Sequence, residues 1–349
     1  MKGKITMKTQ IIKIKPKAIE CVADTLIEYD ISGKILYVSG TIVDKLYGVI
    51  VKRQLEQIGR VRVELVADNT IDYAMNIAER IIATDVNCIV GLGGGRVLDV
   101  CKYAAYIAKI PFLSIPTTAA NDGLSSPIAV LKRKDNKAKS LGCAMADMVI
   151  IDTDIIYAGP MDLIKAGIGD TISNYNALID WKLACDRKRD VMNGYAYLMS
   201  QNAVDVLMKT NYKNICSGFI EVLVNSLVLS GIAMDFAGSS RPVSGAEHLF
   251  SHALDYYGEQ RNLHGIQTAL GTIAILKMSH KHYGDVKEYL EKFNVDINPK
   301  KLNINEQTFV YCMQHAKKMR ENRYTVLDEL DLNDNFIKII YREIMREFS

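Results

Sequence analysis

The residues with the clearest chemical potential are histidines. His248 and His252, in AEHLFSH, stand four positions apart, so on a helix they share one face, the spacing at which helical pairs chelate metals. A third imidazole, His264, follows in NLHG, and a carboxylate, Asp170, sits in AGIGDTISNY near the start of another helical pattern. One carboxylate with two imidazoles would leave positions open on zinc, as a catalytic site requires. The competing reading of the pair is two imidazoles satisfied by packing or facing solvent. His280 and His282 are two apart and face different ways on a helix, and His315 stands alone, so these three read as surface or packing residues.

A second signal is GLGGGRVLDVCKY, from Gly91 to Tyr103, which closes an apolar run and opens a helical pattern. Glycines 93, 94 and 95 would let the backbone approach a pyrophosphate, while the free amides of the following helix point at it with the positive end of the dipole. The spacing is not GxGxxG, and a glycine turn between strand and helix is also ordinary turn chemistry. Asp99 lies one turn into an otherwise apolar helix, where a carboxylate suits a hydrogen-bonding task. The loop SIPTTAANDGLSSP follows, with Thr117, Thr118, Asp122 and Ser126 able to meet a nucleotide and its reaction partner. An Asx turn at Asn121-Asp122-Gly123 with solvated hydroxyls is the alternative. Asp68 could hold an adenosine ribose; Asn69 or Thr70 beside it could equally cap a helix.

These residues need elements to position them. KILYVS, RVRVELV, NCIVGLG and IPFLSIP read as buried strands, separated by helical spacing at Ile71, Ala74, Met75, Ala78 and Ile82 and again at Val97, Cys101, Ala104, Ala105 and Ala108. Strand and helix alternate, so the expectation is an α/β N-terminal domain with a mostly parallel, Rossmann-like sheet. SPIAVL and DMVIID flank the charged insert KRKDNKAKS, which reads as a solvated hairpin or loop. After Gly159-Pro160 long helical patterns take over. The predicted division is therefore residues 1–159, the α/β domain, and 160–349, an all-α domain carrying the metal candidates.

A length of 349 residues favours two domains, and 49% hydrophobic with 24% charged residues excludes disorder. Forty-three basic against 40 acidic residues leave a net charge of +3, too even for a chain that mainly binds nucleic acid. Seven scattered cysteines without a CxxC pair fit the reducing cytoplasm. Charges every few positions from Met1 to Pro16 argue against a signal peptide, and no run of about 18 apolar residues predicts membrane insertion.

Together, GLGGGRVLDVCKY, PTTAANDGLSSP, GIGDTISNYNALIDWKLA, SRPVSGAEHLFSHALD and NLHG resemble the superfamily of iron-type alcohol dehydrogenases, glycerol dehydrogenase and dehydroquinate synthase. Within it they look most like the sn-glycerol-1-phosphate dehydrogenase family. The resemblance implies reduction of dihydroxyacetone phosphate by NAD(H) or NADP(H), with bound Zn2+, to sn-glycerol 1-phosphate, the backbone of archaeal phospholipids. It implies Asp170, His248 and His264 as metal ligands, with His252 and Asp122 touching substrate. It puts Gly93, Gly94, Gly95, Arg96, Val97 and Asp99 at the dinucleotide, with Thr117, Thr118, Ala119 and Ala120, and Ser126 at the nicotinamide end. Asp68 would suit the ribose.

The implied reaction places metal and dinucleotide at the domain interface, in a water-soluble enzyme acting on a small molecule. Relatives assemble, so a homo-oligomer is expected. Arg241, just before the histidine helix, is a candidate for the substrate phosphate, with an exposed loop arginine as the alternative. Competing functions are a glycerol dehydrogenase acting on unphosphorylated glycerol, a cyclase similar to dehydroquinate synthase, and a silent dinucleotide-binding protein. The aspartate ligand, where dehydroquinate synthase has glutamate, speaks against the cyclase.

Overall fold

The computed structural model describes residues 11–349. Of the segment Met1 to Pro16 discussed above, the first ten positions lie outside the described residues. Two compact units emerge: the described residues up to Thr118 together with Gly123–Ala158, and Ala119–Asp122 together with Gly159–Ser349.

The first unit contains strands β1 (Ile11–Lys15), β2 (Gly33–Ser39), β3 (Gly59–Leu65), β4 (Cys88–Gly93), β5 (Phe112–Pro116), β6 (Ile128–Lys132), β7 (Ala138–Gly142) and β8 (Met148–Asp152). Six of them form a parallel sheet in the order β1-β8-β5-β4-β2-β3. Helices α1 (Val22–Glu28), α2 (Thr41–Val43), α3 (Val49–Ile58), α4 (Ile71–Ala83), α5 (Gly95–Ala108) and α6 (Thr153–Tyr157) connect them. Strands β4, β5 and β8 are buried along their whole length, which is why their sequences are continuous apolar runs.

The sheet edges correct the reading from sequence. β3 is an edge strand rather than a buried one: Arg60, Arg62 and Glu64 alternate with apolar residues, and Val63 and Leu65 are 47% and 41% exposed. β1 went unpredicted, because IIKIK alternates with lysine; it lies at the other edge, paired with β8 from Ile11↔Met148 to Lys15↔Asp152. The buried face of α4 is Ala74, Ile77, Ala78 and Ile81, while Ile82 is 60% exposed, so the apolar face is turned from the predicted one. The charged insert forms the tip of an antiparallel hairpin, β6 with β7, and Asn136 adopts a left-handed φ of 60° in its turn.

The second unit is helical: α7 (Met161–Asp186), α8 (Gly194–Lys209), α9 (Ser217–Ala237), α10 (Ala246–Tyr257), α11 (His264–Met278), α12 (Gly284–Lys292), α13 (Glu306–His315) and α14 (Asp334–Glu347). Contrary to the expectation drawn from apolar runs, α9, with 21 residues, is long and apolar enough to cross a membrane. Most of it is buried, with Phe219, Ile220, Leu223, Val224 and Leu227 fully enclosed, the pattern of a core helix.

Helices α7 and α11 meet through glycine. A Cβ at Gly169 would stand 2.2 Å from the Gly265 carbonyl oxygen, and one at Gly265 would stand 1.8 Å from that of Ala166. The backbones therefore touch where no side chain intervenes, one residue after Gly169 comes Asp170, and one residue before Gly265 stands His264. Gly169→Ala forces these helices apart and should destabilise the protein by about 1–3 kcal/mol. Urea unfolding measures it, and an unchanged midpoint would contradict the close approach.

Candidate metal centre and dinucleotide loops

Asp170 on α7, His248 on α10 and His264 at the start of α11 converge, each offering a ligand atom within 4.8 Å of the others. Nε2 of His248 lies 3.9 Å and Nε2 of His264 3.7 Å from Oδ1 of Asp170. Zinc with bonds of about 2.0–2.1 Å sets tetrahedral donors roughly 3.3 Å apart, so only a small contraction separates this set from a zinc site. Oδ2 of Asp170 accepts the backbone N–H of Asp122 at 2.9 Å, which leaves Oδ1 turned to the imidazoles.

A second layer fixes the imidazoles. Nδ1 of His248 lies 2.8 Å from Oε1 of the fully buried Glu247, so the N–H is held there and Nε2 keeps its lone pair. Glu247 in turn accepts the N–H of Gly245 at 2.7 Å and the side-chain amide of Asn176. Nδ1 of His264 donates to the Ser251 hydroxyl at 3.2 Å; that hydroxyl donates to Gln267 at 2.8 Å, and the Gln267 amide donates to Asp255 at 3.2 Å. Sequence reasoning missed Glu247, Ser251 and Gln267. A carboxylate inside the apolar pattern directly before His248 was the available signal.

The electrostatics suit a bound cation. Burial pushes Asp170 well above the usual carboxylate range, and the Glu247 charge adds to it. Burial likewise pushes Asp180 and Glu247 up to about 7, Asp180 also because Glu247 is near. Asp180 accepts the N–H groups of Ala246 at 2.7 Å and Val326 at 2.8 Å. His248 and His252 are held well below the usual imidazole range, chiefly by burial and then by neighbouring imidazoles. Buried carboxylates beside neutral imidazoles with free Nε2 lone pairs are the donor set of a divalent ion. His252 stands outside the ligand set, its ring centroid 5.9 Å from that of His264 and 6.3 Å from that of His248.

Arg241 fits neither earlier reading. It is 6% exposed, its Nε bonds Asp190 at 2.6 Å and its Nη1 bonds the Tyr324 carbonyl at 2.6 Å, so both its charge and its fork are used in tying loops together. Arg320 and Arg323, which the sequence reading passed over, approach the same loop through Ser240.

In the sheet unit, β4 runs into Gly93, Gly94 and α5. Gly94 caps α5 without a side-chain hydrogen bond, and a Cβ at the exposed Gly95 would meet nothing within 4 Å, so packing within the protein does not demand glycine there. Gly93 is different, since its Cβ would press on Val97 at 2.9 Å. Val97 is buried with its N–H on the Gly94 carbonyl, whereas Arg96 is exposed. Asp99 lies 3.9 Å from the ammonium of Lys102, which donates to the carbonyls of Gly123 at 2.9 Å and Ile128 at 2.8 Å. Lys102 is thus the buried cation that fastens the loop after β5, another residue the sequence reading missed.

Thr117 bonds the Gly93 carbonyl through its N–H at 3.0 Å, and the Thr118 hydroxyl would lie 3.3 Å from a Cβ at Gly94. Ala119 is buried against Gly167, Ala120 is half-buried, and Ser126 is buried at 1% exposure. Asp122 opens a 3-10 turn. Asp68 accepts the N–H of Asn69 at 2.7 Å, and Thr70 is the residue that caps α4. His280, His282 and His315 lie away from the cluster; His282 faces Asp285 at 3.2 Å, and His315 stacks on Tyr311.

The family described as iron-containing alcohol dehydrogenase matches residues 13–160. Glycerol-1-phosphate dehydrogenase (NAD(P)+) of Methanosarcina barkeri is 33% identical over 313 residues, covering 88% of this chain and 87% of its own. The protein of the same name from Pyrococcus furiosus is 36% identical over 299 residues, 85% and 86% of the two chains. Among solved structures, glycerol dehydrogenase from Schizosaccharomyces pombe superimposes with a TM-score of 0.80 at 18% identity, covering 99% of this chain and 91% of that one. Sulfoacetaldehyde reductase from Bifidobacterium kashiwanohense in complex with NAD+ gives 0.73 at 14% identity, covering 98% and 99%. At those identities the likeness is one of fold.

Removing the Glu247 charge with Glu247→Gln should weaken zinc affinity by about 10–100-fold, read by chelator competition. Unaltered affinity would detach Glu247 from the centre. The raised carboxylates also give a pH dependence. Asp180 and Glu247 hold their protons more tightly folded than unfolded, where values lie near about 4. The stability they contribute is present below that value and lost as pH rises through about 7. In metal-stripped protein the lowered imidazoles oppose this loss, so the carboxylate part is read by comparison: as pH rises from about 5 to about 8 an Asp180→Asn variant should lose less melting temperature than the parent, and parallel profiles would refute the assignment.

Proposed function

Because the chain belongs to the glycerol-1-phosphate dehydrogenase family and is an NAD(P)-dependent oxidoreductase, we propose that it reduces dihydroxyacetone phosphate to sn-glycerol 1-phosphate. The observation that carries this reading is the Asp170, His248 and His264 cluster, a three-donor set with the open character of a catalytic site. Bound zinc would act there as a Lewis acid on the substrate carbonyl while the nicotinamide supplies hydride.

The chain's own residues prepare that chemistry. Glu247 and Ser251 hold the Nδ1 protons of His248 and His264, so both rings present Nε2 in a fixed orientation. The Asp122 amide orients Asp170, and we assign the Asp122 side chain to a substrate hydroxyl. His252, held neutral by burial among its imidazole neighbours, is suited to exchanging the product hydroxyl proton with solvent. We assign residues 1–159 to the dinucleotide and residues 160–349 to zinc and substrate.

On the sheet, the uncapped start of α5 and the open side of Gly95 support pyrophosphate binding along Gly93, Gly94, Gly95, Arg96 and Val97. Val97 serves mainly through its packing. Asp99, Thr117, Thr118, Ala119 and Ala120 complete the assignment, with Ser126 toward the nicotinamide and Asp68 toward the ribose. The product would supply the glycerophosphate backbone of archaeal-type phospholipids. All seven cysteines are free thiols, in keeping with a reducing cytoplasm. The apolar exposure of Val63 and Leu65 on the edge strand supports self-association. The likeness to glycerol dehydrogenases is one of fold and does not favour unphosphorylated glycerol.

Zinc-loaded enzyme given dihydroxyacetone phosphate with NADH or NADPH should yield sn-glycerol 1-phosphate, resolved by stereochemical analysis of the product. Formation of the sn-3 enantiomer would overturn this reading, and release of inorganic phosphate would point to the cyclase.

A further inference from the structure

Five arginines of the described residues pair with a carboxylate. Arg80 meets Glu64, Arg133 meets Asp135, Arg187 meets Glu329, Arg241 meets Asp190 and Arg342 meets Glu306. Arg320 and Arg323 do not: among the described residues neither has a carboxylate within the 4.0 Å of an ion pair. Instead both converge on one hydroxyl, with Nη1 of Arg320 donating to Oγ of Ser240 at 2.8 Å and Nη2 of Arg323 donating to the same oxygen at 2.9 Å. Nη1 of Arg323 also donates to the Ser244 carbonyl. The Ser244 hydroxyl is buried and has no hydrogen-bond partner among the described residues.

Two guanidinium groups on one neutral oxygen repel each other, and partial burial strips them of the water that would screen them. Burial lowers the proton affinity of both, and the Arg320 charge lowers that of Arg323 further. The pair abuts the ligand helix, because Arg323 binds the Ser244 carbonyl two residues before α10, which carries His248, begins. The chain therefore sets a pair of planar forks outside any direct ion pair, with a spare buried hydroxyl, beside a cluster suited to a cation. Planar forks match the oxygens of a phosphate group, and a dianion would remove the repulsion between them.

We propose that Arg320 and Arg323, set by Ser240, seat the phosphate of the substrate and make the enzyme specific for a phosphorylated ketone. This assignment rests on the reaction proposed above and replaces Arg241, whose charge belongs to Asp190. The substrate is thereby held at two ends: its phosphate by the arginine pair and its carbonyl end at the ligand cluster. The alternative role for the pair is purely structural, pinning the 240–245 loop.

Arg320 is the informative position, since its side chain bonds a single hydroxyl, whereas that of Arg323 also holds backbone. Arg320→Gln keeps a donor for Ser240 but removes the charge. In the full-length, zinc-loaded enzyme, inorganic phosphate serves as a calorimetric probe, and KM and kcat are measured with dihydroxyacetone phosphate. Arg320→Gln should weaken phosphate binding and raise KM by about tenfold or more, with a smaller effect on kcat, and Arg320→Lys should restore part of both. Arg342→Ala, at an exposed ion pair, should change neither. A folded Arg320→Gln enzyme with wild-type phosphate affinity and KM would overturn the proposal. If the wild-type enzyme fails to turn over dihydroxyacetone phosphate yet binds phosphate through Arg320, the reaction assignment falls and the anion seat stands.

Discussion

The ligand cluster of the helical unit is referred to one contact, the meeting of α7 and α11 without side chains between them. Helices ordinarily pack with axes about 8–10 Å apart, a distance set by the residues at the crossing. Glycine at 169 and 265 brings carbonyl oxygens to positions a Cβ would occupy, and the candidate ligands flank those glycines directly. The lengths between Asp170 and His264 are therefore governed by backbone, the stiffest part of the structure, rather than by long side chains. His248 joins from α10, and Glu247 fixes its ring.

That rigidity supports charges that burial alone would disfavour. Asp170, Asp180 and Glu247 are nearly excluded from water, the arginine pair is half-buried, and among the described residues no direct ion pair joins the two groups. Backbone N–H groups from Asp122, Ala246, Val326 and Gly245 compensate part of the acidic side. Such an arrangement is less stable than an apolar core of the same volume and is the usual mark of a site shaped for ligands. A region wanting a cation and an adjoining region wanting an anion together describe a polar, two-ended molecule.

How much of this was legible in the sequence varied with its physical origin. Central strands β4, β5 and β8 are readable because burial on both faces writes unbroken apolar runs; edge strands β1 and β3 carry charges at alternate positions and lose that signature. The residue types of the centre are visible too, since His248 and His252 share a helix face. Choosing His264 over His252 as ligand depends on where α11 meets α7, which no local pattern encodes. Arg241 and Arg320 are the sharpest case. Position favoured the first and nothing distinguished the second, because what separates them is the location of Asp190, a fact of tertiary packing.

The tetrapeptide Ala119–Asp122 belongs to the helical unit although its neighbours in sequence belong to the sheet unit. The polypeptide consequently passes between the two units at three places, and neither unit is one uninterrupted stretch of chain. A gene fragment starting at Gly159 would encode the helices complete, yet lack the Asp122 amide that steadies Asp170 and the Ala119 carbonyl packed on Gly167. Exchanging the helical half at that boundary would therefore carry over the metal candidates without a piece of their support.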